Sequence, residues 1–259
     1  MSDVYVSYDP AGRMGNRMFQ FAFGYILAKA RNCQLYHEPL PNFNIEGKYG
    51  PPVDNITTTR SMGNHKVDFN KLISDPNTII VDSFLQRAEY FNPHRGSLRE
   101  AFKIKKHEPI NKDNLVVHVR ETDYNQINCF LGYEFYKAMI DNSGFTNVTI
   151  VTDNSNCDTV QELLADGCDL VSEGYVDKFQ LHSNERSFSD WLVLLLSENI
   201  ALSQSSFSWW AAFLGTHKKV IFPFSEKANM WPINPDGDTP APFFDLDNIN
   251  TKFVYEHTL

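Results

Sequence analysis

The stretch DNLVVHVRETDYN, residues 113–125, passes from an apolar run to charged side chains of both signs within a few positions. Side chains in a strand alternate between its two faces, so His118 and Arg120 share one face at the carboxyl end of this strand. Open parallel sheets bind ligands just beyond the carboxyl ends of their strands, and a pair of cations there suits an anion. The planar fork of an arginine suits phosphate because it bonds two oxygens at once. Asp123, in the loop beyond, could orient either cation; the alternative is an ordinary polar strand end with a solvated Arg120.

Short strands alternate with helices on both sides of this stretch. Before it, the pattern predicts strands at 4–8, at 34–37 and within 77–85, with a buried helix over 17–32. After it, the pattern predicts strands at 147–154, 169–172, 200–204 and 218–223, with helices over 131–144, 157–167, 187–199 and 205–215. Strands that alternate with helices of this length indicate βαβ units and a parallel sheet, and therefore an α/β fold.

The domain organisation follows from one break in this pattern. The stretch KKHEPINKDN, residues 105–114, is polar and precedes the most regular part of the chain. A boundary there predicts two domains, residues 1–110 and residues 111–259. Residues 41–64 are rich in Pro, Gly, Asn and Thr without a clear period, and we expect them to be irregular. The Pro- and Asp-rich last thirty or so residues are expected to wrap the surface.

Composition excludes some classes of function. The chain has 259 residues, of which 42% are hydrophobic, so it can bury a sizeable core. Its formal net charge is -9, which argues against a general nucleic-acid-binding protein, because neutralising phosphates needs clustered lysines and arginines. This net charge is still compatible with a local basic pocket for a single anionic ligand.

Nothing in the sequence indicates export or membrane insertion. The start, MSDVYVSYDP, lacks the basic and apolar regions of a signal peptide. The longest aliphatic run, LVLLL at 192–196, is far too short to cross a bilayer. Four scattered cysteines without metal-ligand spacing favour free thiols. These features together predict a cytoplasmic protein with no transmembrane segment.

Three further polar segments follow predicted strands. Asp153 and Asn154 end one of them, and an exposed carboxylate there can accept two donors, as the edge of guanine would require. Ser205 is a natural helix N-cap, and the free amides around it and Ser206 form an anion site, although simple capping is an equal alternative. Gly15 belongs to a glycine-containing segment, GRMGNRMFQ, that joins the first strand to the first helix. These strand ends favour a phosphate-bearing ligand.

Three motifs carry a resemblance to a known family. GRMGNRMFQFAFGYILAKA, HVRETDY and SSFSWWAAFLG, in this order and at these separations, resemble the α-1,2-fucosyltransferase family over residues 11 to about 223. The first and third motifs are specific, whereas the middle one alone would not be. The resemblance implies the GT-B architecture, in which two Rossmann-like domains face each other across a cleft. It also implies a nucleotide-sugar donor, GDP-fucose, a glycan acceptor, inversion at the anomeric carbon, and no metal or other cofactor.

The resemblance also implies roles for individual residues. The family's middle motif usually runs His-x-Arg-Arg-x-Asp, which His118, Arg120 and Asp123 match. Arg120 would then hold the donor's β-phosphate, with His118 and Asp123 in support. The region of Asp153 and Asn154 would recognise guanine. The remaining residues of the donor site would be Gly15, Asn16, Arg17, Ser205 and Ser206.

Two positions depart from the family pattern. Glu121 stands where the second arginine of the middle motif is usual, and Arg17 follows Asn16 where glutamine is common. These exchanges have opposite charge, so we hypothesise that Arg17 replaces the missing cation or pairs with Glu121. The departures leave room for a different donor sugar or an altered acceptor. No single residue stands out as the general base, for which Glu38, Glu121 and Asp123 are candidates.

Two other functions compete with this interpretation. A metal-dependent GT-A transferase would need an Asp-x-Asp pair at a strand end. The pairs Asp236-Gly237-Asp238 and Asp245-Leu246-Asp247 occur, but in the Pro-rich tail, where solvated loop is the better interpretation. A non-catalytic sugar- or nucleotide-binding protein would keep the fold and lose the chemistry, and Glu121 is its only support.

Overall fold

The structure is a computed structural model that describes residues 2–8, 10, 12–60, 67–121, 131–172, 186–224 and 253–256. Its described residues up to Lys105 form one compact unit, and those from Lys106 onward form a second. We describe each unit by itself. The predicted α/β fold with two Rossmann-like parts is confirmed, because each unit is built on a parallel sheet with helices.

The first unit contains a parallel sheet of short strands. The strands are β1 (Val4–Val6), β2 (Leu35–Tyr36), β3 (Ile56–Thr58) and β4 (Thr78–Val81), in the order β2-β1-β4-β3. Strand β1 therefore has β2 on one side and β4 on the other, so the winding of the chain changes direction beside it. β3 lies in the segment that was expected to be irregular; its three residues, between polar and Pro-rich stretches, are too few to show alternation.

Helix α1 (Met14–Arg31) packs on this sheet. It begins three residues before the start predicted at Arg17, so Gly15 and Asn16 lie in its first turn and not in the preceding loop. Most of its residues are buried, as its nearly continuous apolar sequence predicted. It ends where Asn32 adopts a left-handed backbone with φ 52, from which the Asn32 amide donates to carbonyls of the last turn.

The described part of the first unit also has three shorter α-helices, α2 (Phe69–Ser74), α3 (Ala88–Phe91) and α4 (Arg95–Ala101), and two 3-10 helices, Pro41–Phe43 and Asn92–His94. Asp68 caps α2 because its carboxylate accepts a hydrogen bond from the Lys71 amide at 3.1 Å. Aromatic side chains join these elements to α1, with Phe19 against Phe91 at 5.3 Å and Phe21 against Phe102 at 5.4 Å between ring centroids.

The second unit contains a longer parallel sheet. Its strands are β5 (Leu115–Val119), β6 (Val148–Thr152), β7 (Asp169–Leu170), β8 (Asn199–Ala201), β9 (Lys219–Phe224) and β10 (Phe253–Glu256), in the order β10-β9-β8-β5-β6-β7. The sequence pattern predicts no strand in the tail, and we expect its residues to wrap the surface. Instead, Phe253–Glu256 form strand β10, which pairs with β9.

Four helices connect these strands: α5 (Gly132–Asp141), α6 (Asp158–Ala165), α7 (Arg186–Leu196) and α8 (Ser206–Leu214). In α8, Trp209, Trp210 and Phe213 are fully buried, as expected of core residues. Asp158 is the first helical residue of α6, and Cys157 occupies the cap position.

The order of the strands creates a switch point beside β5. The chain runs from β5 to β6 and β7 on one side, then returns to β8 on the other side of β5. In open α/β sheets, the crevice outside the carboxyl ends of the strands at such a point is where ligands bind. Arg120, Asp153 and Ser203 all follow strands that end there.

Two global features concern membranes and thiols. Within the described ranges, no helix is both long and apolar enough to cross a membrane. Cys33, Cys157 and Cys168 are free thiols, and Cys129 lies outside the described residues.

At Gly24, α1 lies close against the first sheet. A methyl group built there lies 2.5 Å from Val6 Cγ2 and 3.1 Å from Leu35 Cδ1. We expect Gly24→Ala to lower the free energy of unfolding, because overpacking costs ~1–3 kcal/mol and the gain in helix propensity is at most ~1 kcal/mol. Urea unfolding measures the difference.

Gly96 in α4 supplies the matched control, because a methyl group there meets nothing within 4 Å. Gly96→Ala should leave stability unchanged or raise it by up to ~1 kcal/mol. Equal stability changes for the two substitutions would contradict the close packing of α1 on β1.

Candidate active site

His118 is the last-but-one residue of β5 and is buried, with 3% of its surface exposed. Its Nδ1 shares a hydrogen bond of 2.7 Å with Ser203 Oγ, and its ring stacks on Phe207 at 5.3 Å between centroids. Burial, and then the charge of Arg120, lower the pKa of His118 to about 3. His118 is therefore neutral, and the prediction that it and Arg120 form a pair of cations is wrong for His118.

Arg120 follows β5 directly and supplies the positive charge at this strand end. Its Nη1 lies 2.8 Å from Asp153 Oδ2, and the two side chains are 12% and 28% exposed. Asp153 follows β6, the neighbour of β5, so the pairing of the two strands brings these residues together. Among the described residues, Asp153 is a carboxylate that orients the guanidinium. Asp123, predicted for that task, lies outside the described residues.

Asn154 shapes the loop after β6. Its backbone amide donates to Thr152 Oγ1 at 3.1 Å, and its side-chain Oδ1 accepts from the Asn156 amide at 3.1 Å. Such local bonds are typical of tight turns. The loop therefore holds Asp153 at the edge of the sheet, facing Arg120.

The serines between β8 and α8 lie at the same edge of the sheet. Ser205 is the N-cap of α8, as predicted, and its hydroxyl accepts from the Phe207 amide at 3.3 Å. Ser206 is the first helical residue, and Ser203 contacts His118. The amino end of α8, where backbone amides favour an anion, thus lies beside the ring of His118. The contact between Ser203 and His118 depends on the pairing of two distant strands, so no local sequence pattern indicates it.

Glu121 has different surroundings from Arg120. It is buried, with 4% of its surface exposed, and its carboxylate contacts the Thr159 hydroxyl, the Cys157 thiol and the Gly132 amide. Those groups stand at the amino ends of α6 and α5, where a carboxylate is favoured by the unpaired amides and the helix dipole. Burial outweighs these hydrogen bonds and raises the pKa of Glu121. We therefore interpret Glu121 as an anchor for two helices.

The predicted residues of the first unit lie in the first turn of α1. Gly15 is buried, and Asn16 Oδ1 accepts a hydrogen bond from Gln86 Nε2 at 2.7 Å. Arg17 donates from Nε to the Gly12 carbonyl at 3.1 Å, and its guanidinium carbon lies 5.7 Å from the centre of the Tyr8 ring. Arg17 and Glu121 thus each have contacts within their own unit.

The described residues contain no cluster of three or more His, Cys, Asp or Glu side chains that could hold a metal ion. The two Asp-x-Asp pairs that a GT-A enzyme would need, at 236–238 and 245–247, lie outside those residues.

Comparison with known proteins gives only distant structural likenesses. No family model and no curated protein matches the sequence. The fucosyltransferase NodZ from Bradyrhizobium has 12% identity and a TM-score of 0.44, over 83% of this chain and 94% of that chain. A mutant of Arabidopsis thaliana FUT1 in complex with GDP has 11% identity and a TM-score of 0.47, over 84% of this chain and 69% of that chain. POFUT1 in complex with GDP has 10% identity and a TM-score of 0.46, over 85% of this chain and 98% of that chain. Identity and TM-score are too low for these likenesses to support a ligand or an activity.

The environment of Glu121 generates a prediction about stability and pH. Because its native pKa is raised above the ordinary value of 4.5, the native state binds the proton more tightly than the unfolded state. The stabilisation of the native state by protonated Glu121 is complete below pH 4.5 and is lost as pH rises through the native pKa. The free energy of unfolding of the wild type, relative to Glu121→Gln, should therefore fall as pH rises, which urea titrations between about pH 4 and pH 8 would measure.

Glu134, an exposed glutamate on α5, provides the control, because Glu134→Gln removes the same charge from the surface. Glu121→Arg should destabilise the second unit strongly, since it sets a cation at the start of two helices. Adding Arg17→Gln should not restore stability. Recovery in the double variant would support compensation between the two residues and contradict the anchoring role.

Proposed function

We propose that this protein is a glycosyltransferase that moves fucose from GDP-fucose to a hydroxyl group of a glycan, with an α-1,2-like linkage, inversion at the anomeric carbon and no metal ion. The observation that carries the proposal is Arg120, which Asp153 holds at the switch point of a parallel sheet beside the amino end of α8. The three sequence motifs, with their resemblance to α-1,2-fucosyltransferases, supply the donor.

The leaving group explains why a preorganised cation matters. As the bond between the anomeric carbon and the β-phosphate oxygen breaks, negative charge grows on GDP. Arg120 can stabilise this charge because its partner, Asp153, already fixes its direction, so little reorganisation is needed during the reaction. The amides at the start of α8, around Ser205 and Ser206, add partial positive charge of the same sign.

The neutral ring of His118 has a different role in this proposal. Because it bonds Ser203 and stacks on Phe207, it connects β5 to the start of α8. It thereby fixes the spacing between Arg120 and the helix amides. His118 supports the phosphate site by position and not by charge.

The division of labour between the two units remains part of the proposal. Residues 1–110 would form the acceptor-side domain, with Gly15, Asn16 and Arg17 closing the donor site. Residues 111–259 would bind the nucleotide sugar, with Asp153 and Asn154 near the guanine. In this assignment Asp153 would serve both Arg120 and the base.

The surroundings of Glu121 weaken the competing interpretation of a non-catalytic binding protein. Its support was the loss of a cation beside the pyrophosphate, at Glu121. Since Glu121 lies against the starts of α5 and α6, the exchange of arginine for glutamate concerns helix anchoring. The hypothesis of a different donor sugar rested on the same missing cation and is weakened for the same reason.

GDP should stabilise the protein against heat in the presence of EDTA. A ligand that binds only the native state raises the melting temperature, and at a concentration of 100 times its Kd it adds ~2.7 kcal/mol. Thermal unfolding with GDP, UDP and no nucleotide measures the effect, and GDP-fucose should act as GDP does. Stabilisation by UDP but not by GDP would refute the guanine assignment. Stabilisation by GDP only after manganese is added would revive a metal-dependent mechanism.

Arg120→Ala should reduce turnover of GDP-fucose by about 100- to 1000-fold, the usual effect of removing one preorganised donor. Arg120→Lys should recover only part of the loss, because lysine lacks the planar fork. GDP release from GDP-fucose measures both.

Lys218→Ala is the matched control, since Lys218 pairs with Glu198 at 3.6 Å, at the start of β9 on the opposite edge of the same sheet. Its removal should leave turnover unchanged. If Arg120→Ala had no more effect than this control, Arg120 would be an ordinary solvated strand-end residue.

A further inference from the structure

The carboxyl end of β1 carries a buried hydroxyl group without a partner. Tyr8 is 8% exposed, and its Oη has no hydrogen-bond partner among the described residues. Buried polar groups in native proteins are nearly always paired, because an unsatisfied hydroxyl lowers stability. An unpaired hydroxyl that persists in a protein points to a missing partner, such as a bound ligand.

The backbone around Tyr8 is held firmly. The Ser7 amide donates to the Val81 carbonyl at 2.9 Å, and Gln20 Nε2 donates to the Ser7 carbonyl at 3.0 Å. These bonds extend the pairing of β1 beyond its last residue and connect it to α1. Tyr8 is therefore fixed beside the point where the winding of the first sheet changes direction, which is the usual position of a ligand.

Two charged residues act on the Tyr8 hydroxyl. Burial, and then the charge of Glu38, raise the pKa of Tyr8, while Arg17 opposes them. Tyr8 consequently keeps its proton and is a hydrogen-bond donor. Glu38 is exposed, and its carboxylate has no hydrogen bond or ion pair with any residue in the described ranges.

The chain around Glu38 is also fixed. His37 pairs with Lys48 through two backbone hydrogen bonds of 2.8 Å, and the Glu38 carbonyl lies 2.7 Å from His37 Nδ1. The side chain of Glu38 thus starts from an anchored backbone next to β2, the neighbour of β1. Tyr8, a donor, and Glu38, an acceptor, follow the neighbouring strands β1 and β2 at the same carboxyl edge of the first sheet.

We infer that Tyr8 and Glu38 form a subsite for a hydroxyl group of a saccharide, in which Tyr8 donates to the hydroxyl oxygen and Glu38 accepts its proton. This inference rests on the proposed function and specifies its acceptor side. A sugar hydroxyl is both an acceptor and a donor, so it satisfies both residues at once.

In this subsite, fucose is transferred directly to the oxygen of the saccharide hydroxyl. The acceptor oxygen forms a bond to the anomeric carbon of fucose as the bond from that carbon to the phosphate oxygen breaks. The hydroxyl proton moves to the Glu38 carboxylate, and the electron pair of the broken bond leaves with GDP. Such proton transfer by a positioned carboxylate contributes about 100- to 10,000-fold to a rate.

The other candidate bases fit less well. The Glu121 carboxylate already contacts the Thr159 hydroxyl, the Cys157 thiol and the Gly132 amide at the starts of α5 and α6. Asp123 lies outside the described residues. Glu38 is the candidate that combines exposure, a fixed backbone and a neighbouring hydroxyl that lacks a partner.

Tyr8→Phe and Glu38→Gln test the inference in the full chain. GDP release from GDP-fucose is measured in water alone, where water replaces the acceptor, and with lactose as a probe; calorimetry measures the Kd for GDP. Glu38→Gln should lower both rates at least about 100-fold, and Glu38→Asp should recover part of the loss. Tyr8→Phe should lower the rates up to about 10-fold, mainly through KM when lactose is used. The Kd for GDP should not change in either variant.

Glu46→Gln, which removes an exposed carboxylate from the same unit, is the control and should behave as the wild type. Unchanged rates in both Tyr8→Phe and Glu38→Gln, with normal GDP binding, would overturn this inference and leave the proposed function standing. Failure of the wild type to bind GDP or consume GDP-fucose would instead remove the proposed function, and the inference with it.

Discussion

The pairing of β5 with its two neighbours is the constraint on which the candidate site depends. Val119 lies opposite Thr152 in β6, so the next residues of each strand, Arg120 and Asp153, emerge side by side and form their ion pair. On the other side, Val117 lies opposite Ala201 in β8, which brings His118 near Ser203. A shift of one residue in either pairing would turn these side chains to the opposite face.

The surroundings of a charged side chain in this protein depend on which strand or helix end it meets more than on its neighbours in sequence. Arg120 and Glu121 are adjacent in the chain, yet one lies at a strand edge with Asp153 and the other lies at two helix starts. Alternation along the chain explains the separation, because consecutive residues leave a strand on opposite sides. The same reasoning accounts for the burial of Glu121 directly after Arg120 in the chain.

The sequence predicted the repeating elements well and their contacts poorly. Alternation and caps identified β5, β6 and α8 with its Ser205 cap, because these signals are local. Strand β3 was missed because three residues show no period, and α1 began earlier than predicted because Gly15 suggested a loop. The partner of Arg120 and the isolation of the Tyr8 hydroxyl come from residues far apart in the chain, which no local pattern reports.

The buried ring of His118 has a consequence for how the second unit responds to its surroundings. A histidine near a phosphate site would ordinarily switch charge close to neutrality and make anion affinity sensitive to mild acidification. Here the pKa of about 3 removes that sensitivity. The positive charge at the end of β5 therefore comes from Arg120 and not from the ring of His118. Because the ring of His118 is buried, mild acidification does not add a charge to it at this edge of the sheet.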